Sequence, residues 1–266
     1  MNLKRVPLLL ALLLAMPGLS LAQDAQELAK KLSNPIANLI SLPLQYNFDD
    51  DIGPANGHKS FINVQPVIPI SINEDWNLIS RTIVPLVTEQ NDIAGQSGSQ
   101  SGVGDITQSL FFSPKAPTAN GIIWGAGPVI LLPTASDSLL GAEKWGLGPT
   151  AVVLTQRGQW TIGALANHIW SVGGDDNRQD ISSTFVQPFL SYTTKAATTF
   201  GLNTESTYNW KSDRWTVPIN ITVAQLLKLG DQPLQIGAGV RYWADAPDSA
   251  PQGWGLRLYA TFLFPK

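Results

Sequence analysis

The 266-residue chain contains no cysteine, which removes disulfide scaffolds, thiolate metal sites and cysteine nucleophiles from consideration. Charge is scarce: 14% of residues are Asp, Glu, Lys or Arg, against about 25% in an average soluble domain. Long hydrophobic runs are missing too. Beyond residue 22 no stretch reaches the ~18 continuous apolar residues of a membrane helix, so a bilayer crossing would have to use strands. The net charge of −3 offers no basic face for nucleic acid, and the glycine runs lack the strand-turn-helix setting and terminal lysine of a phosphate loop. What the chain does have is turn formers and large aromatics, with 23 Gly, 19 Pro and 9 Trp. That combination points to an all-β chain with little polar exterior.

The amino-terminal segment has the order of a secretory signal. Lys4-Arg5 precedes the apolar run Val6–Leu14, Pro17-Gly18 breaks it, and Ser20-Leu21-Ala22 supplies the small residues of a cleavage site before Gln23. The expected organisation is a signal peptide over 1–22, a helical segment over 23–38 able to plug an interior, and a β-barrel over 39–266. Asp24 to Glu27 has the pattern of a capping box, predicting a helix over Ala25–Leu32 that stops at Asn34-Pro35.

From Leu39 onward twelve segments have the 10–13 residues a tilted transmembrane strand needs. They are Leu39–Phe48, Lys59–Ile70, Asp75–Val87, Gly102–Ser113, Gly121–Leu132, Lys144–Thr155, Gln159–Ser171, Asp180–Tyr192, Ala197–Trp210, Arg214–Leu226, Gln232–Trp243 and Gly253–Phe264. Odd-numbered connections are long and polar (Lys211–Asp213 excepted), whereas even-numbered ones are short. Long loops on one side and tight turns on the other are the pattern of an outer-membrane barrel, with the turns in the periplasm. The predicted fold is therefore all-β, a transmembrane antiparallel barrel of about 12 strands preceded by a short helical segment.

Alternation of period two assigns the faces. In the last segment Trp254, Leu256, Leu258, Ala260, Phe262 and Phe264 share one face, and Gly255, Arg257, Tyr259 and Thr261 the other. The charges are too few to coat the outside of twelve strands, so the apolar face is assigned to lipid. Trp145, Trp170, Trp210, Trp215, Trp243 and Trp254 fall at segment ends beside the long connections, and Trp76 and Trp160 beside the short ones. These positions predict two aromatic girdles at the membrane boundaries; Trp124 sits inside a segment. Parity directs Asn63, Gln65, Arg81, Asp105, Gln187, Asn203, Glu205, Arg241 and Arg257 into the lumen, along with Gln45, Asn47, Asn220, Gln235 and Tyr259. Arginine on lipid at the midplane costs about 2–4 kcal/mol, which favours the inward assignment. The lumen charges, three arginines against Asp105 and Glu205, are expected either to cross-brace and narrow the bore or only to satisfy one another. Acidic residues, among them Asp49, Asp50, Asp51, Asp92, Asp137, Glu143, Asp175, Asp176 and Asp180, are assigned to an exterior rim able to attract cations.

Several phrases carry a family resemblance. They are Leu32-Ser33-Asn34-Pro35, Leu39-Ile40-Ser41-Leu42-Pro43-Leu44-Gln45-Tyr46-Asn47-Phe48, Gly104-Asp105-Ile106-Thr107-Gln108-Ser109-Leu110-Phe111-Phe112-Ser113-Pro114, Asn167-His168-Ile169-Trp170-Ser171 and the closing Phe262-Leu263-Phe264-Pro265-Lys266. Together they resemble the transporter family labelled MetA-pathway of phenol degradation, sometimes misnamed neuromedin U. The resemblance implies a bacterial outer-membrane barrel that passes hydrophobic or aromatic solutes, and it brings no catalytic motif. One departure is that Phe264, the final aromatic, is followed by Pro265-Lys266 instead of ending the chain.

The expected function is a channel for small solutes by passive diffusion through a narrow lumen. The alternative is a structural or ligand-binding barrel without transport. An enzyme is not expected, because Asn167, His168 and Ser171 on one short strand run do not make a triad. No cofactor or metal is expected. The expected partners are outer-membrane lipid and lipopolysaccharide, the barrel-assembly machinery and a small-molecule solute. The sequence leaves the oligomeric state open.

Overall fold

The computed structural model describes residues 16–93 and 98–265. The proposed signal segment through residue 15 lies outside the described residues. A helix, α1 (Met16–Leu32), leads into fifteen strand segments. These are β1 (Ile40–Ile52), β2 (Gly57–Val64), β3 (Val67–Ser71), β4 (Trp76–Asn91), β5 (Ser99–Val103), β6 (Ile106–Pro114), β7 (Ile122–Leu132) and β8 (Lys144–Arg157). They continue as β9 (Trp160–Gly174), β10 (Ser182–Thr193), β11 (Thr198–Thr204), β12 (Ser206–Asn209), β13 (Arg214–Leu229), β14 (Gln232–Asp245) and β15 (Gly253–Phe264). β2 with β3, β5 with β6 and β11 with β12 are single staves interrupted once, so the barrel has twelve staves. The expected helix cap at Asp24 is corrected: α1 begins upstream and passes through Asp24 without a break.

All pairings are antiparallel, and β15 closes on β1 from Ile40↔Phe264 to Phe48↔Leu256. Closure leaves no free sheet edge. Proline explains part of the interruption. Pro66, which has no N–H to give, lies between β2 and β3. Pro218 sits at a register shift opposite Trp243, the bulge that an internal proline calls for. Pro128 and Pro149 face each other across β7 and β8, so neither N–H is needed at that rung.

The two faces separate as parity requires. Outward side chains are apolar and exposed, among them Leu147, Val153, Ile162, Phe200, Ile221, Ile236 and Leu258. Inward ones are buried, whether apolar like Phe111, Val152 and Leu165 or polar like Asn47, Asn220, Arg241 and Arg257. A closed barrel with a greasy outside and a polar inside is built for lipid, and the protein is an outer-membrane β-barrel. Among the described residues no helix is long and apolar enough to cross a membrane.

Aromatic residues ring both ends. Beside the long loops Trp145, Trp170, Trp210, Trp215 and Trp254 are exposed, with Tyr208 edge-on to Trp210 at 4.8 Å and Tyr242 tilted against Trp254 at 4.9 Å. Beside the short turns Trp160 contacts Tyr192 at 4.7 Å, and Trp76 meets Trp124 edge-to-face at 5.8 Å. Two assignments change here. Trp124, the third residue of β7, belongs to the aromatic contacts at the short-turn end. Trp243 does not belong with the lipid-facing rings: it has the parity of Arg241, and its indole donates to the interior carboxylate of Asp49 at 3.1 Å.

Candidate functional site

The interior has an ionic half and an apolar half, each traceable to particular staves. On the ionic side β1, β14 and β15 present alternate residues inward, so Asn47 and Asp49 face Arg241 and Arg257. Arg241 is fully engaged. Its Nη1 donates to the two Asp49 oxygens at 3.0 and 3.3 Å, its Nη2 to Asn47 at 3.0 Å and to Glu205 at 3.4 Å, and its Nε to Asn220 at 3.0 Å. Arg257 grips Glu205 with both Nη atoms, at 2.9 and 2.8 Å, and its Nε donates to Asn47 at 2.9 Å. This is the two-pronged fork that guanidinium geometry favours. Asn220 donates onward to Asn203 at 2.9 Å. The Gln45 carboxamide is wedged between Gln65 and Arg257.

Asp49 was assigned to an exterior loop, and that assignment is corrected. β1 continues to Ile52, so Asp49 keeps the inward parity of Asn47 and its side chain is 3% exposed. Asp105 changes in the opposite sense. It pairs with none of the lumen arginines among the described residues. Instead its carboxylate accepts from the backbone of Ala135 at 3.1 Å and of Ala142 at 2.6 Å, which pins the 133–143 connection against the start of β6. Arg178 holds that connection from the other side, donating to the carbonyls of Ser138 at 2.8 Å and of Gly141. Gln90 adds a bond to the Leu139 carbonyl at 3.4 Å, and Leu140 is buried. The lumen charges are thus Arg81, Arg241, Arg257 and Lys59, the last paired with Asp49 across β1 and β2, against Asp49 and Glu205.

The apolar half comes from β4 and β6 to β10. Ile79, Phe111, Val152, Leu154 and Leu165 form a buried cluster inside the barrel, with Phe185 and Phe189 beside it. Ile36, on the segment that follows α1, sits in this cluster and is 4% exposed. Gly125 of β7 makes room for it: a Cβ there would lie 3.2 Å from the Ile36 Cδ1. The apolar inner face of β7 is therefore covered in part by the amino-terminal segment. Asn34 sets the turn by accepting from the Ile36 N–H at 3.0 Å, and Gln156 holds the end of α1 through the Lys30 carbonyl at 2.9 Å. At the short-turn mouth Ala29 and Leu39 pack with Ala197, Leu226 and Leu263.

Among the described residues, three adjoining cavities line the lumen. The central one, about 300 Å³, is bounded by Gln45, Asn63, Gln65, Arg81, Gln187 and Glu205 on polar walls and by Ile83, Leu165, Ile169 and Phe185 on apolar ones. Two lie nearer the short-turn end, about 160 Å³ beside Asn34 and Pro35 and about 280 Å³ beside Leu32, Gln187 and Asn203. Arg81 lines all three. It donates to Gln65 at 3.1 Å.

His168 points the other way. Its ring lies 4.1 Å from that of Trp170 on the outer face, with Thr184 at 2.7 Å from Nδ1 and Ser182 at 3.4 Å from Nε2. Ser171 is turned to Asp180 and Ile181, and no bond joins Asn167, His168 and Ser171 to one another among the described residues. The three do not form a triad.

No protein-family profile matches the chain, and no curated protein matches it either. Solved structures do. The COG4313 outer membrane channel from Pseudomonas putida F1 superposes with a TM-score of 0.67 at 17% identity, over 85% of this chain and 96% of that one. The NanC porin aligns with a TM-score of 0.50 at 10% identity, over 85% of this chain and 100% of its own. The Salmonella typhi outer membrane phospholipase, at a TM-score of 0.49 and 10% identity over 90% of this chain and 98% of its own, is too distant to bear on activity. At these identities the likeness is one of fold, and the fold shared with the first two is that of an outer-membrane β-barrel.

Proposed function

We propose that the protein is a passive diffusion channel for small solutes, with the segment 33–38 forming a constriction at its periplasmic mouth. The single observation that carries this reading is the make-up of the lumen. A barrel that served only as scaffold would fill its interior with side chains, whereas this one leaves cavities of about 300, 280 and 160 Å³ that share Arg81 as a common wall. The buried Ile36 and the pinned 133–143 connection restrict the two mouths, which favours low conductance. The mixed lining suits a small molecule with both apolar and polar parts, in keeping with the resemblance to a transporter family linked to aromatic compounds. On this reading the domain plan is a signal peptide, a mouth-restricting segment and a barrel.

The test is single-channel recording of refolded full-length protein in planar bilayers, beside an Ile36→Ala variant. Discrete openings whose amplitude rises in the variant support the reading. A wild-type barrel that is correctly folded yet silent in both forms would leave the structural barrel as the better account.

A further inference from the structure

We propose that the Arg81 guanidinium is the binding site for the carboxylate of the permeating solute, and that the apolar body of that solute lies against Leu165, Ile169 and Phe185. The inference rests on the channel reading and narrows its solute to small organic carboxylates. Charge arithmetic inside the barrel comes first. Three guanidiniums and the Lys59 ammonium face two carboxylates, and both carboxylates are already committed: Asp49 to Arg241, with Lys59 beside it, and Glu205 to Arg257 and Arg241. Arg81 makes no direct ion pair among the described residues, the Glu205 carboxylate acting on it only from a distance, and it spends one donor on the neutral amide of Gln65 at 3.1 Å. Its fork is thus left with donors in the geometry that a carboxylate takes two at a time.

Position comes second. Arg81 stands where the three cavities adjoin, so a solute moving along the lumen must pass it. The central cavity, about 300 Å³, lies at the small end of pockets that hold organic ligands. The shape of its lining comes third. Leu165, Ile169 and Phe185 border the cavity as an apolar wall, as Arg81 and Gln65 border it as a polar one. A cation meets the Arg81 guanidinium there and finds Glu205 already held by Arg257 and Arg241, and a sugar would leave the apolar wall uncovered by anything it favours. A carboxylate on an apolar body satisfies both walls.

Benzoate is the probe. Full-length refolded protein in detergent micelles is titrated calorimetrically with benzoate, with its neutral isostere benzamide and with formate, which keeps the charge and lacks the ring. Saturable benzoate binding is expected, at least about ten-fold tighter than for benzamide or formate and weakened at high salt. Arg81→Gln should lose about the same ten-fold for benzoate and leave benzamide unchanged, with folding checked by unheated gel mobility. Arg81→Lys, which keeps the charge without the fork, should fall between. Equal affinity for benzoate and benzamide in the wild type, or no saturable benzoate binding, overturns the site, and this arm decides even if Arg81→Gln fails to fold. Conductance without benzoate binding would sink the site and leave the channel. Benzoate binding to a silent barrel would sink the channel and leave the site.

Discussion

Asp49→Ala is the most informative single perturbation, because the loop and lumen placements of that residue predict different outcomes. In the barrel its carboxylate takes two bonds from Arg241 and one from the Trp243 indole, and the Asp49 and Arg241 side chains are 3% and 6% exposed. Removing one member of a buried pair leaves the other charge without compensation, at about 3–5 kcal/mol. Arg241 keeps Asn47, Asn220 and Glu205, so the expected loss is at the lower end, about 3 kcal/mol. Asp49→Asn preserves one acceptor oxygen and should cost about 1–2 kcal/mol. An exterior loop carboxylate would cost no more than about 0.5 kcal/mol. The assay is urea unfolding from detergent micelles, followed by tryptophan emission and unheated gel mobility. Adding Arg241→Met to Asp49→Ala should recover part of the loss, because the stranded guanidinium is gone. A shift under about 1 kcal/mol for Asp49→Ala, or strict additivity of the pair, would refute the buried-network account.

Glu205→Gln removes a carboxylate held by two guanidiniums, so the reversal potential across a salt gradient should move toward stronger anion preference, while an unchanged potential would separate the cluster from selectivity. Gly148→Ala drives a Cβ into the backbone oxygen of His168, where no side chain can yield; loss of the compact unheated gel band is expected, at more than the ~1–3 kcal/mol of ordinary overpacking. Outside the membrane, hydrogen bonds from Lys144 and Ser171 hold the Asp180 carboxylate below its ordinary range. A lowered folded value means that this anchor stabilises the 175–181 loop above the unfolded carboxylate range and is lost as pH falls through the folded value. Pepsin nicking of that loop should therefore rise only in strong acid, and Lys144→Met should bring the rise to milder pH.

Much of the molecule was legible from local rules. Alternation placed Leu256 and Leu258 on lipid and Arg257 inside because a strand offers only two faces. Loop lengths told one end of the barrel from the other, and Trp145, Trp170 and Trp254 marked a barrel end because their rings are amphipathic. Alternation failed where the end of a strand was misjudged. Asp49-Asp50-Asp51 has the composition of a loop, yet β1 runs through it, because the pairing with Arg241 and Trp243 repays the burial of one carboxylate. Asp105 has lumen parity, but its partners are backbone amides some 30 residues away in sequence, which no local pattern announces.

By itself the sequence determined the class, the count of twelve staves and the facing of most side chains, because each follows from period-two patterning and from a shortage of charge. Only the tertiary structure decided which charges meet. Closing β15 onto β1 carries Asn47 to Arg257 and Asp49 to Arg241 across roughly two hundred residues of chain. It also decided that Ile36 enters the apolar half, and that Arg81 keeps free donors at the junction of the cavities. Those outcomes depend on the curvature and register of the closed sheet, which no single strand contains.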